Sequence, residues 1–198
     1  RRRNKKMKGM NIKDLEREEY KEIEKIDLVN NKKEAVLVNI LGLVIVVVMM
    51  ALLPLLIKVG IVRSYRDNLL LSLVVFVLSL ILYIPFHEIV HGLVLKCFTE
   101  EKISFGWKFL YAYCGSKTAV VKRGEYYLIA LAPLAVFSLV FILLLVLNPT
   151  LSFVWYLMEI MNISGSIGDI YVSFKLSKKR EKDILITDSG TDMSFWSR

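Results

Sequence analysis

The residues best suited to chemistry in this 198-residue chain stand together at His87-Glu88-Ile89-Val90-His91, and its only two histidines both fall in that run. On an α-helix, positions i and i+4 share a face, so two imidazoles four apart reach one ion while a carboxylate stands beside them. Imidazole suits zinc, and a catalytic zinc site keeps three protein ligands plus an open position for water. The ion lowers the pKa of that water to about 7, and a neighbouring carboxylate then takes its proton as it attacks a carbonyl. The spacing therefore predicts a helix with His87 and His91 as Zn2+ ligands and Glu88 as the catalytic base, the equipment of amide hydrolysis. A cluster of His and Glu can also do no more than hydrogen-bond helices together across a bundle. Against that plainer reading, a central ionised group in an apolar span costs about 2.5–3.5 kcal/mol even on insertion scales, and such groups are functional by default.

The elements that must position this motif are apolar. Mean hydropathy is +0.50 and 55 % of the residues are hydrophobic, which does not suit an ordinary soluble domain. The apolar residues gather into four blocks, about 35–57, 69–95, 126–147 and 151–174, each long enough to cross a bilayer as a helix of about 20 residues. Backbone groups in lipid must be satisfied within their own segment, so helix is expected despite the abundance of Val and Ile. The first block is too long and begins too late for a secretory signal peptide, and no small-residue cleavage site follows it. The expected fold is an all-α polytopic membrane protein: four transmembrane helices, with a small cytoplasmic β-hairpin between spans two and three. Residues 1–34 form a charged N-terminal segment, 35–174 a four-helix membrane metalloprotease domain, and 175–198 a C-terminal tail.

Charge orients the spans. Residues 1–34 hold twelve Lys and Arg, the loop from Lys96 to Arg123 holds six and the tail from Lys175 holds six, whereas Lys58, Arg63 and Arg66 lie between the first two spans. Cytoplasmic flanks collect Lys and Arg, so both termini and the 96–123 loop are expected in the cytoplasm of a multi-pass cell-membrane protein. The net charge of +8 follows from this rule and from contact with an anionic lipid bilayer. No nucleic-acid motif accompanies it, and the N-terminal segment alternates basic and acidic residues as a solvated amphipathic helix would. Cys97 and Cys114 fall on the reducing side, where a structural disulfide is not expected, and their spacing matches no zinc-ligand pattern.

Depth selects a third ligand. His87 lies 18 residues beyond Leu69, about 27 Å along a helix. Asp169 lies 18 residues beyond Leu151, again about 27 Å. Glu159, the other acid in that last block, is 8 residues in, about 12 Å, and would miss the motif by roughly 15 Å. Asp169 is level with the histidines.

The arrangement resembles the site-2 protease class of intramembrane metalloproteases, in which the motif on one span is completed by an Asp from a later span. The 35–198 region more closely resembles a bacterial zincin-peptidase family of four-span membrane proteins. The likeness rests on Pro85-Phe86-His87-Glu88-Ile89-Val90-His91-Gly92, on Ala130-Leu131-Ala132-Pro133 and on Asn162-Ile163-Ser164-Gly165-Ser166-Ile167-Gly168-Asp169. It implies zinc at His87, His91 and Asp169 with Glu88 catalytic, acting on a membrane-embedded or membrane-proximal peptide substrate. One departure is visible. Site-2 proteases carry their Asp before a Gly and after Asn-Pro, whereas here Gly168 precedes Asp169 and no Pro is near.

Asn162, Gly165 and Ser166 precede Asp169 by seven, four and three positions and share its helix face. Gly165 suits close helix contact; Asn162 can donate to a developing oxyanion, or all three can simply pack. Ile103, Phe105, Trp107, Phe109, Tyr111 and Tyr113 alternate with other residues until Gly115-Ser116, the pattern of a hairpin. Its edge can hold an extended substrate by strand addition, or its aromatics can sit at the headgroup level. The tail offers a short strand at Ile184-Leu185-Ile186 and an interfacial anchor at Phe195-Trp196. Two other classes of function use the same residues: a non-proteolytic metal-binding protein or transporter, which does not need Glu88, and a catalytically inactive scaffold.

Overall fold

The structure, a computed structural model, describes residues 10–63, 69–108 and 111–198; Arg66 and Phe109, used in the readings above, lie outside them. The element order is α1 (Ile12–Arg17), β1 (Lys21–Asp27), α2 (Lys32–Lys58), α3 (Leu69–Phe98), β2 (Ser104–Lys108), β3 (Tyr111–Lys122), α4 (Arg123–Leu147), a 3-10 turn (Pro149–Leu151), α5 (Ser152–Gly165), α6 (Ile167–Ser177), β4 (Leu185–Asp188) and β5 (Asp192–Ser197).

Three described helices are long and apolar enough to cross a membrane: α2, α3 and α4, of 27, 30 and 25 residues. At 1.5 Å per residue they reach about 40, 45 and 38 Å, more than the roughly 30 Å of a hydrocarbon core. Their outer faces leave Leu43, Leu70, Leu139 and Leu147 62–75 % exposed, an arrangement suited to lipid rather than water.

The expected fourth span does not form as one helix. Residues 151–174 divide into α5, of 14 residues, and α6, of 11, with Ser166 between them. Fourteen residues reach only about 21 Å. The break falls in Ser164-Gly165-Ser166, where the Ser164 hydroxyl donates back to the Ile160 carbonyl at 2.7 Å; Ser and Gly are both poor helix interiors. The segment is apolar because protein covers it: Val154, Tyr156, Met158 and Ile160 of α5 and Val172 and Leu176 of α6 are all buried.

An all-α fold is also corrected. The described residues contain a five-stranded antiparallel sheet in the order β1-β5-β4-β3-β2. The stretch 104–122 is not a small separate hairpin but two strands of that sheet, completed by strands from before α2 and from the C-terminal end. Lys108 and Tyr111 are paired, and β3 runs straight through Gly115-Ser116. A Cβ at Gly115 would stand 2.3 Å from the Gly190 nitrogen, so the β4–β5 turn requires glycine there. Residues 21–27, read as helix, form a strand. Phe195, read as an interfacial anchor, is fully buried in β5.

The chain divides into two compact units. One comprises Arg1–Val36, Glu88–Ala132 and Gly168–Arg198, and it holds the sheet. Neighbouring strand residues point to opposite faces, and here they feed two cores. Val121, Ile186 and Phe195 pack with Leu95, Tyr126, Ile129, Val172 and Leu176 from the helices. Val120, Leu185 and Trp196 pack with Met10 and Leu15 on the other side. The second unit, Leu37–His87 and Pro133–Ile167, is helical. Tyr83, Phe141 and Met158 form one of its cores and Leu53, Val62, Tyr156 and Ile160 another.

Candidate metal centre

Helix α3 runs unbroken through Pro85, so Tyr83, His87 and His91 follow at spacings of four and line one face. His87 is buried, 8 % exposed, and Glu88 and His91 are half-buried. Gly92 follows directly. A Cβ there would meet the Phe105 ring tip at 2.5 Å and the Cys114 sulfur at 3.1 Å, so the absence of a side chain is what lets β2 and β3 lie against the helix beside His91.

His91 Nδ1 lies 2.8 Å from the Ile129 carbonyl. A carbonyl only accepts, so Nδ1 carries a hydrogen and Nε2 is the nitrogen that can serve as a metal ligand. The residue four beyond Ile129 is Pro133, which has no N–H and therefore cannot supply the helix bond that carbonyl would ordinarily receive. The second ring nitrogen faces the carboxylate: His91 Nε2 and Asp169 Oδ2 stand 3.6 Å apart. The break at Ser166 places Asp169 in the first turn of α6. Farther along α6, Lys175 bonds Glu24 of β1 at 2.7 Å and Glu34 of α2 at 2.5 Å, and Lys179 bonds Glu24 at 2.6 Å. These pairs hold Lys175 ionised well above the ordinary lysine range, against the opposing effect of burial.

The ligand atoms of His87, His91 and Asp169 all lie within 4.8 Å of one another. Two ligands each about 2.1 Å from a tetrahedral ion stand roughly 3.4 Å apart, so the His91–Asp169 separation is that of a pair able to share zinc. Two imidazoles and one carboxylate are also the donor set of a catalytic rather than a structural zinc site.

Around the other histidine, the Tyr83 hydroxyl lies 2.9 Å from His87 Nδ1 and 3.1 Å from Asn162 Oδ1. Asn162, fully buried, turns its Nδ2 to the Leu134 carbonyl, the Ser138 hydroxyl and Glu159 Oε2. Glu159 in turn accepts from Ser138 at 2.6 Å. The structure thus brings Asp169 to the motif and Glu159 to Ser138 and Asn162.

Cys114 of β3 lies beside the motif helix, its sulfur close to Gly92. Burial first, then the Glu88 and Asp188 carboxylates, push its thiol up to about 12, which makes it a poor nucleophile at neutral pH. Cys97 and Cys114 are free cysteines. Burial likewise lifts Asp188 of β4 to about 7, although the Gly190 N–H donates to it at 2.7 Å.

A family model described as "Putative zincin peptidase" matches residues 80–184, 105 of the 198 residues and so more than half of the chain. The chain belongs to this family. The matched region runs from Leu80 on α3 to Ile184, beyond α6, and so takes in every residue of the metal cluster. Membership makes the chain a candidate zinc peptidase, and the donor set suits that metal. No curated protein and no solved structure matches the chain.

Sequence reasoning singled out neither of two groups that lie against the histidines, the Tyr83 hydroxyl and the Ile129 carbonyl. Tyr83 stands one helical turn before His87 with a hydrogen-bonding tip, a signal the i, i+4 rule carries as well as it carried His91. The Ile129 carbonyl was marked by Pro133, four residues on.

Proposed function

We propose that the protein is a membrane-embedded zinc peptidase, site-2-protease-like in arrangement, that hydrolyses peptide bonds near the cytoplasmic face. The observation that carries the reading is the meeting of His87 and His91 with a carboxylate from a distant helix, at separations one ion can bridge. His87, His91 and Asp169 would hold zinc. Bound there, the ion would supply Lewis acidity, polarising a carbonyl and bringing the pKa of a coordinated water near 7.

The chain's own residues do the rest. Glu88, half-buried beside His91, takes a proton from the attacking water and returns it to the leaving amine as the C–N bond breaks. The Ile129 carbonyl keeps the His91 hydrogen on Nδ1, so that Nε2 stays available as a ligand. β2 is an edge of the sheet and displays Phe105 and Trp107, 56 % and 63 % exposed. An extended peptide entering from the membrane can add there as a further strand, with the alternating aromatics as side-chain contacts. Three apolar helices support a bilayer partner; a nucleic-acid partner is not part of this reading. The Lys and Arg distribution supports a cytoplasmic sheet.

The test separates base from ligand. Glu88→Gln nearly keeps the side chain's shape but cannot accept the proton. Zinc content is expected to match wild type while cleavage of a panel of single-span peptides falls at least about 100-fold. Wild-type cleavage by Glu88→Gln would refute the mechanism, and loss of zinc with cleavage would make Glu88 a ligand instead.

A further inference from the structure

We propose that Tyr83 and Asn162 act as a positioning pair that fixes the tautomer and ring orientation of His87, leaving Nε2 as its ligand atom. The inference rests on the reading of His87 as a zinc ligand. It starts from a count of hydrogens. A phenol has one O–H to donate and an imidazole nitrogen either donates or accepts, not both. The Asn162 amide settles which way the Tyr83 hydrogen points. Its Nδ2 lies 3.2 Å from the Leu134 carbonyl, 3.0 Å from the Ser138 hydroxyl and 3.4 Å from Glu159 Oε2. Three acceptors on one side identify the nitrogen, so Oδ1 is the end that faces Tyr83. Tyr83 therefore donates to Asn162 at 3.1 Å. The 2.9 Å contact between Tyr83 and His87 must then run from the imidazole Nδ1–H to the phenol oxygen.

This gives the two histidines one logic by different means. His91 gives its Nδ1 hydrogen to a backbone carbonyl, His87 to a tyrosine that is itself held by a buried amide. Both present Nε2. Packing fixes the ring as well: Phe137 lies edge-to-face on Tyr83, with centroids 5.0 Å apart, and within 9° of parallel to His87. The amide hydrogens of Asn162 are directed at Leu134, Ser138 and Glu159, so the structure assigns it a role through Tyr83 in place of contact with an oxyanion. Groups that orient a metal-bound imidazole in this way typically contribute 10–100-fold in metal affinity.

The chain's two histidines make a direct test possible. The full chain labelled with 15N-histidine gives two imidazole spin systems, assigned with His87→Ala. In the zinc-free wild type the His87 ring is expected as Nδ1–H. Tyr83→Phe keeps the ring packing, and it should move His87 alone toward the Nε2–H form and weaken zinc, measured by chelator competition, by roughly 10–100-fold. Asn162→Leu should weaken zinc in the same range, and the double variant should be no worse than the weaker single, because one acts through the other. If Asn162→Leu does not fold, Tyr83→Phe decides alone. Wild-type zinc affinity and an unchanged His87 tautomer in Tyr83→Phe would overturn the pair while leaving His87 a ligand. Zinc retained by His87→Ala would overturn both readings. Additive losses in the double variant would make Asn162 a packing residue only.

Discussion

Asp169 and Glu159 show how much a single carboxylate's surroundings decide. Both are acids in one apolar stretch, and helix rise alone put Asp169 level with the histidines. The structure sets Asp169 3.6 Å from His91 and gives Glu159 a Ser138 hydroxyl at 2.6 Å. Asp169→Ala is expected to lose most of the about one zinc per chain that a single three-ligand site binds, and Glu159→Ala to keep it, by metal analysis of the purified protein. The reverse result would exchange their roles. The motif itself was legible because i and i+4 lie on one face whatever the tertiary fold. Tyr83 was less so, because its meaning depends on Asn162, 79 residues away, and a sequence does not show which distant amide meets which hydroxyl. Ile129 was hidden differently: its functional atom is a carbonyl that every residue has.

At the scale of elements, composition alone could not separate lipid from protein as the cover for an apolar helix. α2, α3 and α4 leave large side chains exposed, while α5 buries Val154, Tyr156, Met158 and Ile160; both kinds read as the same run of Val, Ile, Leu and Met. Strand β1 was obscured by its charges. Lys21-Glu22-Ile23-Glu24-Lys25-Ile26 suits an exposed helix as well as a strand, and what makes it a strand is its partner β5, paired from Lys21↔Ser197 to Asp27↔Asp192. The contact of α3 with β2 and β3 makes a sharper prediction. Gly92→Val places carbon where the Phe105 ring and the Cys114 sulfur now lie. Overpacking of this kind is expected to lower stability by about 1–3 kcal/mol, read as a lower midpoint of thermal unfolding in detergent. An unchanged midpoint would mean that β2 and β3 do not rest on the helix there.

For the whole molecule, the sheet constrains topology independently of charge. β1 precedes α2, β2 and β3 connect α3 to α4, and β4 and β5 follow α6. Strands hydrogen-bonded in one sheet lie on one side of a bilayer, because open sheet edges do not occur within hydrocarbon. If α2, α3 and α4 span a bilayer, the chain before α2, the α3–α4 connection and the C-terminal strands would share a side only with α5 and α6 together returning the chain across it. That is the same grouping that the 24-to-3 split of Lys and Arg suggests for the cytoplasm. Cys97 is the better native reporter, since it is exposed while the Cys114 thiol is pushed up to about 12 and reacts slowly. An impermeant thiol reagent is expected to label Cys97 in inverted but not right-side-out vesicles, and a cysteine placed at Ile61 in the opposite pair. Labelling of Cys97 from outside would invert the orientation.

The strand order carries a consequence for synthesis. β5 is the last strand in sequence, yet it lies inside the sheet, between β1 and β4. Among the described residues β1 pairs with no other strand, so from its own translation until Asp192–Ser197 leaves the ribosome it has no described strand to join. The sheet that packs against α6, and so steadies the helix bearing Asp169, closes only when the carboxyl-terminal strand has been made.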